Sequence, residues 1–215
     1  MAPSSASATG FLSDVERKAC QPIAALPAID SLENLVAAIN ALPRPTPLHC
    51  LIANLPRPLA VQAGNSVASA QPSGGPEDPR IFVKVKNIIL GIVPDGVAKN
   101  TLEVGEVLTG DQAIRAEFVF PVTIETLSAR AGLDHIKFGG GTTCGLCHKD
   151  EKAADTLAGS TTYQSNVLRF AAIERVPVEL LRQQANACRS RSDSTDRCLV
   201  YKALFEGGAV TSTEF

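Results

Sequence analysis

The chain has 215 residues, 45% of them hydrophobic, with 20 Lys and Arg against 22 Asp and Glu. That length supports a sizeable core, as one large domain or two small ones. The net charge of −2 excludes the basic field that nucleic acid requires, and no apolar run reaches the roughly 20 residues of a membrane-spanning helix.

Residues 1–10 are small and polar and are expected to be disordered. Ser13-Asp14-Val15-Glu16 has capping-box spacing, which predicts a short helix ending near Pro22. A second helix is expected from Ser31 to Leu42. Asp30 is its cap, with Glu33 three residues on, and Leu32, Leu35, Val36, Ile39 and Leu42 share one face. Pro43 and Pro45 end it. Residues 48–55 and 59–63 read as strands, pushed to a sheet edge by Pro56 and Pro58.

The middle of the chain alternates. Ile81, Val83 and Val85 are interleaved with Phe82, Lys84 and Lys86, residues 101–108 alternate again, and Ile114, Ala116, Phe118, Phe120 and Val122 share one face. Pro94-Asp95-Gly96 and Gly110-Asp111 supply turns, so these strands form an antiparallel meander. Residues 71–79 are a loop. Gly139-Gly140-Gly141 is a hinge before Thr142 and Thr143, either of which caps a helix over the residues that follow. Residues 178–188 and 195–205 read as helices, the second stopped by Gly207-Gly208. The expected fold class is α+β, an antiparallel β-rich body with short N-terminal helices and a helical C-terminal segment.

Cys144-Gly145-Leu146-Cys147-His148 is a CxxCH. Two thiols at this spacing can each add to a haem vinyl group, and the adjacent imidazole is then placed beneath the porphyrin as an iron ligand. The motif resembles that of c-type cytochromes. The resemblance implies that Cys144 and Cys147 form the thioethers and that His148 is the proximal ligand of a covalent haem c. It covers five residues and implies the attachment chemistry, not the fold. Met1 is the only methionine, so the Met-ligated iron of small helical cytochromes is not expected. His135, across the triple glycine, is the candidate sixth ligand; His49, between Pro47 and Cys50, reads as structural. A β-rich body with a late CxxCH and no ligating Met is similar in layout to the cytochrome P460 and β-sheet cytochrome c′ group. That likeness implies an open iron site, and in the P460 type a lysine cross-link, for which Lys84, Lys86 and Lys137 are available.

Three functions therefore stand side by side. The first is single-haem electron transfer with a redox partner protein not named by the sequence, and the second is a haem enzyme or gas-binding protein. The third is a haem-free interaction module, in which Cys144, Cys147, His148 and His135 or another Cys clip a zinc ion, or Cys144 and Cys147 form a redox disulfide. The expected division is a flexible N-terminus with a short helix over 1–28, a helix plus β-rich body over 29–135, and a helical haem-attachment segment over 136–215. Four further cysteines remain. Proximity pairs Cys188 with Cys198 and leaves Cys20 with Cys50, one of three possible connectivities. That count fits an oxidising compartment, and the expectation is a mature periplasmic or extracellular chain. Asp150, Glu151 and Asp155 read as a solvated helix face, and Lys84 and Lys86 as the solvent side of a strand.

Overall fold

The computed structural model describes residues 10–66, 69–167 and 170–214. The disorder expected of residues 1–10 falls, but for Gly10, outside them.

Helix α1 (Asp14–Ala19) opens on the expected capping box: the Ser13 hydroxyl accepts the Glu16 N–H at 3.3 Å and the Glu16 carboxylate accepts the Ser13 N–H at 2.7 Å. Helix α2 (Leu32–Asn40) is capped by Ser31 instead of Asp30. The Asp30 carboxylate is taken by the Asn34 side chain at 2.7 Å, which leaves the next hydroxyl to serve the Asn34 N–H. Arg44 reaches back to the carbonyls of Ile39 and Leu42 at 2.9 and 3.0 Å and satisfies the C-terminal end. Residues 48–53 form helix α3 (Leu48–Ala53) where a strand was expected. The reason is spacing: buried Leu48, Leu51, Ile52 and Leu55 recur at helical intervals, and Pro47 stands at the cap. His49 therefore lies on a helix.

Strands β1 (Leu59–Gly64), β2 (Arg80–Val85), β3 (Ile88–Ile92), β4 (Thr101–Val107) and β5 (Gln112–Val119) follow as an antiparallel run. Helix α4 (Ala129–His135) packs on β5; a Cβ on Gly132 would lie 2.4 Å from the Phe118 ring, so only glycine permits the contact. Next come a small hairpin, β6 (Lys137–Phe138) with β7 (Gly141–Thr142), a 3₁₀ turn over Thr143–Leu146, and a second hairpin, β8 (Lys152–Leu157) with β9 (Ser160–Asn166). Strand β10 (Arg175–Val176), helices α5 (Val178–Ser190) and α6 (Asp196–Phe205), and strand β11 (Val210–Ser212) complete the chain.

The main sheet runs β10-β1-β2-β3-β4-β5-β9-β8, with β11 added to β1 by a parallel pairing, the one such pairing among the described residues. The α+β class is as expected, but two details differ. Strand β1 is interior, because Pro56 and Pro58 precede it and take no ladder position. The segment after residue 136 is only partly helical. Its second hairpin turns at Ala158 and Gly159, both at positive φ, and an alanine there carries no turn signal. The Lys-Ala-Ala-Asp-Thr-Leu of β8 is also poor in strand-forming residues.

One face of the sheet makes the core. Ile81, Val83, Leu90, Ile92, Leu102, Val104, Ala116 and Phe118 pack against residues of α2–α6, in a single cluster drawn from Ile29 through Val210. Burying one such Leu or Ile side chain is worth about 1.5–3 kcal/mol. Cys20–Cys50 ties the end of α1 to α3 and Cys188–Cys198 ties α5 to α6, the pairings that proximity predicts. Among the described residues no helix is long and apolar enough to cross a membrane.

Candidate functional site

Strand alternation puts a second set of side chains on the opposite face of the sheet. Register aligns Phe82, Gly91, Glu103 and Glu117 in one row across β2–β5, and Lys84, Ile89, Gly105 and Arg115 in the next. The segment carrying Thr143, Cys144, Cys147 and His148 covers this face and leaves a narrow trough between them. The floor glycines are covered by their neighbours: the Arg115 guanidinium lies 2.9 Å from where a Cβ of Gly105 would stand, and the Phe82 ring 3.1 Å from that of Gly91.

The roof is built by hydrogen bonds local to the motif. Thr142 accepts the Cys144 N–H at 3.1 Å, and the Cys144 carbonyl accepts the N–H groups of Cys147 and His148 at 3.1 and 2.8 Å. This winds the five residues into one tight turn that brings Cys144, Cys147 and His148 to the same cavity. Glu151 fastens the turn from below, accepting the Thr142 N–H at 2.8 Å and the Thr142 hydroxyl. A Cβ on Gly145 would lie 2.5 Å from that carboxylate. Glu151 is therefore a structural clasp and not the solvated helix residue that the sequence suggested.

His148 is set up as a neutral ligand. Its Nδ1 lies 2.8 Å from the Asn166 carbonyl oxygen, which can only accept, so Nδ1 carries the hydrogen and Nε2 keeps its lone pair. Arg115 Nη2 donates to the same carbonyl at 3.0 Å and stands 3.3 Å from Nδ1, a contact between two donors. Burial, and then the Arg115 charge, push the imidazole down to about 4. Burial, and then the Glu103 carboxylate, push the Cys144 thiol up to about 11, so it stays protonated. A stability effect follows. From pH 6.5 to 4 the unfolded chain takes up the His148 proton and the fold does not, so stability falls as pH drops through that window. The loss should be about 2 kcal/mol after allowance for screening of a partly exposed ring. Urea unfolding at pH 7 and pH 4 measures it, and His148→Gln should abolish that part; the same pH dependence in the variant would disprove the assignment.

The floor charges are paired sideways. Arg80 bridges to Glu103 and to the Ser69 hydroxyl, and Glu117 receives His135 Nε2 at 3.2 Å. Among the described residues, the Nε atoms of Arg80 and Arg115 are buried and have no hydrogen-bond partner. Both belong to residues lining the trough, which fits a ligand bearing anionic groups.

The structure gathers Cys144, Cys147 and His148 at one cavity. It places His135 outside the lining, half-exposed and joined to the cavity through Glu117. His49 lies beside the Cys20–Cys50 disulfide. Among the described residues Cys20, His49 and Cys50 are the one set of Cys, His, Asp and Glu close enough to share an ion, and the disulfide occupies both sulfurs. Cys144 and Cys147 are free thiols, and with His148 they do not converge as zinc ligands do. The sequence reading missed Arg80, Glu103, Arg115 and Glu117, because charges alternating with core residues look like a solvent face. Glycines at 91 and 105 on that same face were the available sign of something close above it. No family model, curated protein or solved structure matches the chain.

Proposed function

We propose that the protein is an exported c-type haem protein, with haem c attached through Cys144 and Cys147 and the iron bound by His148. The observation that carries this reading is His148 itself: neutral, its Nδ1–H fixed on the Asn166 carbonyl, and its ring lining the same cavity as both motif cysteines. Three further features support it. Phe82 and Ile89 supply apolar lining to the trough, as suits a macrocycle with an apolar face. The partnerless guanidinium nitrogens of Arg80 and Arg115 suit the two propionates. The protonated Cys144 thiol suits addition across a vinyl double bond, in which sulfur bonds one carbon and the hydrogen goes to the other.

Bound haem would supply one-electron chemistry; the chain's own part is to orient it, exclude water and expose one edge. Cys147 and Leu146 are exposed, so that edge would lie at the surface where a partner exchanges electrons. Two disulfides in one chain fit an oxidising compartment. Between a second protein ligand and an open iron, the geometry favours the open site. The described lining holds no second His, no Met and no Lys, and His135 gives its Nε2 to Glu117.

The test is pyridine-haemochrome spectroscopy on protein exported alongside haem-maturation machinery. One covalent haem per chain is expected, with none in Cys144→Ala/Cys147→Ala. Absence of covalent haem in the parent protein would falsify the reading.

A further inference from the structure

We propose that strand β8 is a self-association edge, where two copies of the chain pair β8 against β8, antiparallel, and continue their main sheets as one. No residue of β8 lines the trough, so the pairing is independent of bound haem.

The two ends of the main sheet are unlike. At one end the outer edge of β1 is taken up by β10 at Ala63 and Gly64 and by β11 from Leu59 to Val61, strands of two and three residues. Such short pieces blunt an edge. At the other end β8 runs for six residues, pairs among the described strands with β9 alone, and is exposed from Lys152 to Thr156. Its hairpin determines which backbone groups point outward. Ala158 and Gly159, both at positive φ, make a two-residue turn that closes on the hydrogen-bonded pair Leu157 and Ser160. Alternation then turns the N–H and C=O of Thr156 away from β9. By the same count along β9, Ala153, opposite Tyr163, is turned outward too. No other backbone group of the described residues meets them.

An open edge invites any strand, but β8 is selective. Ala154 and Asp155 together stand opposite Thr162, one residue more than β9 supplies, and Thr162 donates its hydroxyl to the Asp155 carbonyl at 2.7 Å. Ala153 and Thr156 are therefore three residues apart, where a regular strand presents its outward groups two apart. A second β8 has the same extra residue. Set antiparallel, Ala153 of each copy meets Thr156 of the other, and both pairs of hydrogen bonds close. The charges agree with that register. Lys152 and Asp155 are the charged residues of the strand, and each lysine lies diagonally across from the aspartate of the other copy, within reach of its long side chain. No like charges are brought opposite one another, and Ala153 and Ala154 leave the strip without bulk. The contact is isologous and closes at two copies. Its two-fold axis stands perpendicular to the sheet, so both motif-bearing faces look the same way. A single strand pair falls short of the roughly 1,200 Å² of a standard interface, so the dimer is weak and concentration-dependent.

The test is sedimentation equilibrium of the full-length chain between about 10 and 500 μM, where small interfaces associate. Cys144 and Cys147 are alkylated so that they cannot link copies. The mass should rise towards that of two chains, and exchange of the Ala153 and Thr156 amides should slow as it rises. Asp155→Lys and Lys152→Asp should each weaken association about tenfold, because each puts like charges on both diagonals. An equimolar mixture of the two variants should associate at least as well as the parent, since the acidic strip of one then faces the basic strip of the other. Ala153→Pro removes an N–H that the fold itself does not use, and should abolish the dimer with little change in thermal melting. Should that variant fail to fold, the mixture decides. A monomer throughout the range would overturn the proposal. So would a mixture that stays monomeric, a dimer that both charge variants leave intact, or one in which the two amides exchange no more slowly. A ladder of larger species would show open-ended addition of strands and overturn it too.

Discussion

Replacing Lys202 by methionine is expected to destabilise the fold by about 3–5 kcal/mol. Lys202 lies on α6 with its side chain 4% exposed, and its ammonium meets the Glu16 carboxylate of α1 at 2.6 Å. That carboxylate also accepts the Ser194 hydroxyl at 2.7 Å and caps α1 through the Ser13 N–H. Burial opposes its charge, yet Lys202 and the Ser13 and Ser194 bonds outweigh burial and hold it down at about 2. Methionine preserves the volume and leaves the carboxylate uncompensated. The double variant Lys202→Met/Glu16→Leu should recover much of the loss, since replacing a buried pair with apolar groups is far milder than halving it. A depressed folded pKa also fixes the acid behaviour. This contribution is present above the ordinary value of 4.5 and disappears as pH falls towards 2, a window that begins where that of His148 ends. Denaturant unfolding decides the matter; a single-variant loss under about 1 kcal/mol would mean that the pair is not a fastening of α1.

Removing the Cys20–Cys50 disulfide by the double alanine substitution should lower stability by about 3–4 kcal/mol, from the entropy returned to a 30-residue loop of the unfolded chain. Both residues are fully buried, so the vacated volume adds to the loss. Cys188–Cys198 spans only 10 residues and should contribute less. Thermal melts of both variants, with the Cys144 and Cys147 thiols alkylated, give the comparison. Equal losses would show that packing, and not loop length, governs the two bonds.

The sequence carried the architecture where local signals agree with the tertiary one. Ser13 and Glu16, the 81–85 alternation and the apolar face of α2 each specify their element without help. It misled where they part. Residues 48–53 lie between prolines, which suggest extended chain, while their burial period is helical. Residues 152–157 become a strand through pairing with β9, itself paired with β5, and not through propensity. At the candidate site the chemical core of the motif was legible, because five contiguous residues bear it. The floor was not, because Glu103, Arg115 and Glu117 meet only through sheet register, and Asn166 acts through its backbone carbonyl, which no side-chain pattern records. The Glu151 clasp depends on a nine-residue return to Thr142 that composition does not announce.

The sheet also divides the molecule's sulfur into two compartments. Four cysteines sit among the helices on its core side and are joined in pairs, while Cys144 and Cys147 lie over the opposite face. Once β2–β5 are in place, a thiol of one set has no route to a thiol of the other. Oxidative folding can thus complete both structural bonds without scrambling into the motif, and the motif thiols can be kept reduced, or be reduced again, without undoing the scaffold. Maturation of the chain is in this way separable into two independent sulfur chemistries, with one layer of sheet standing between them.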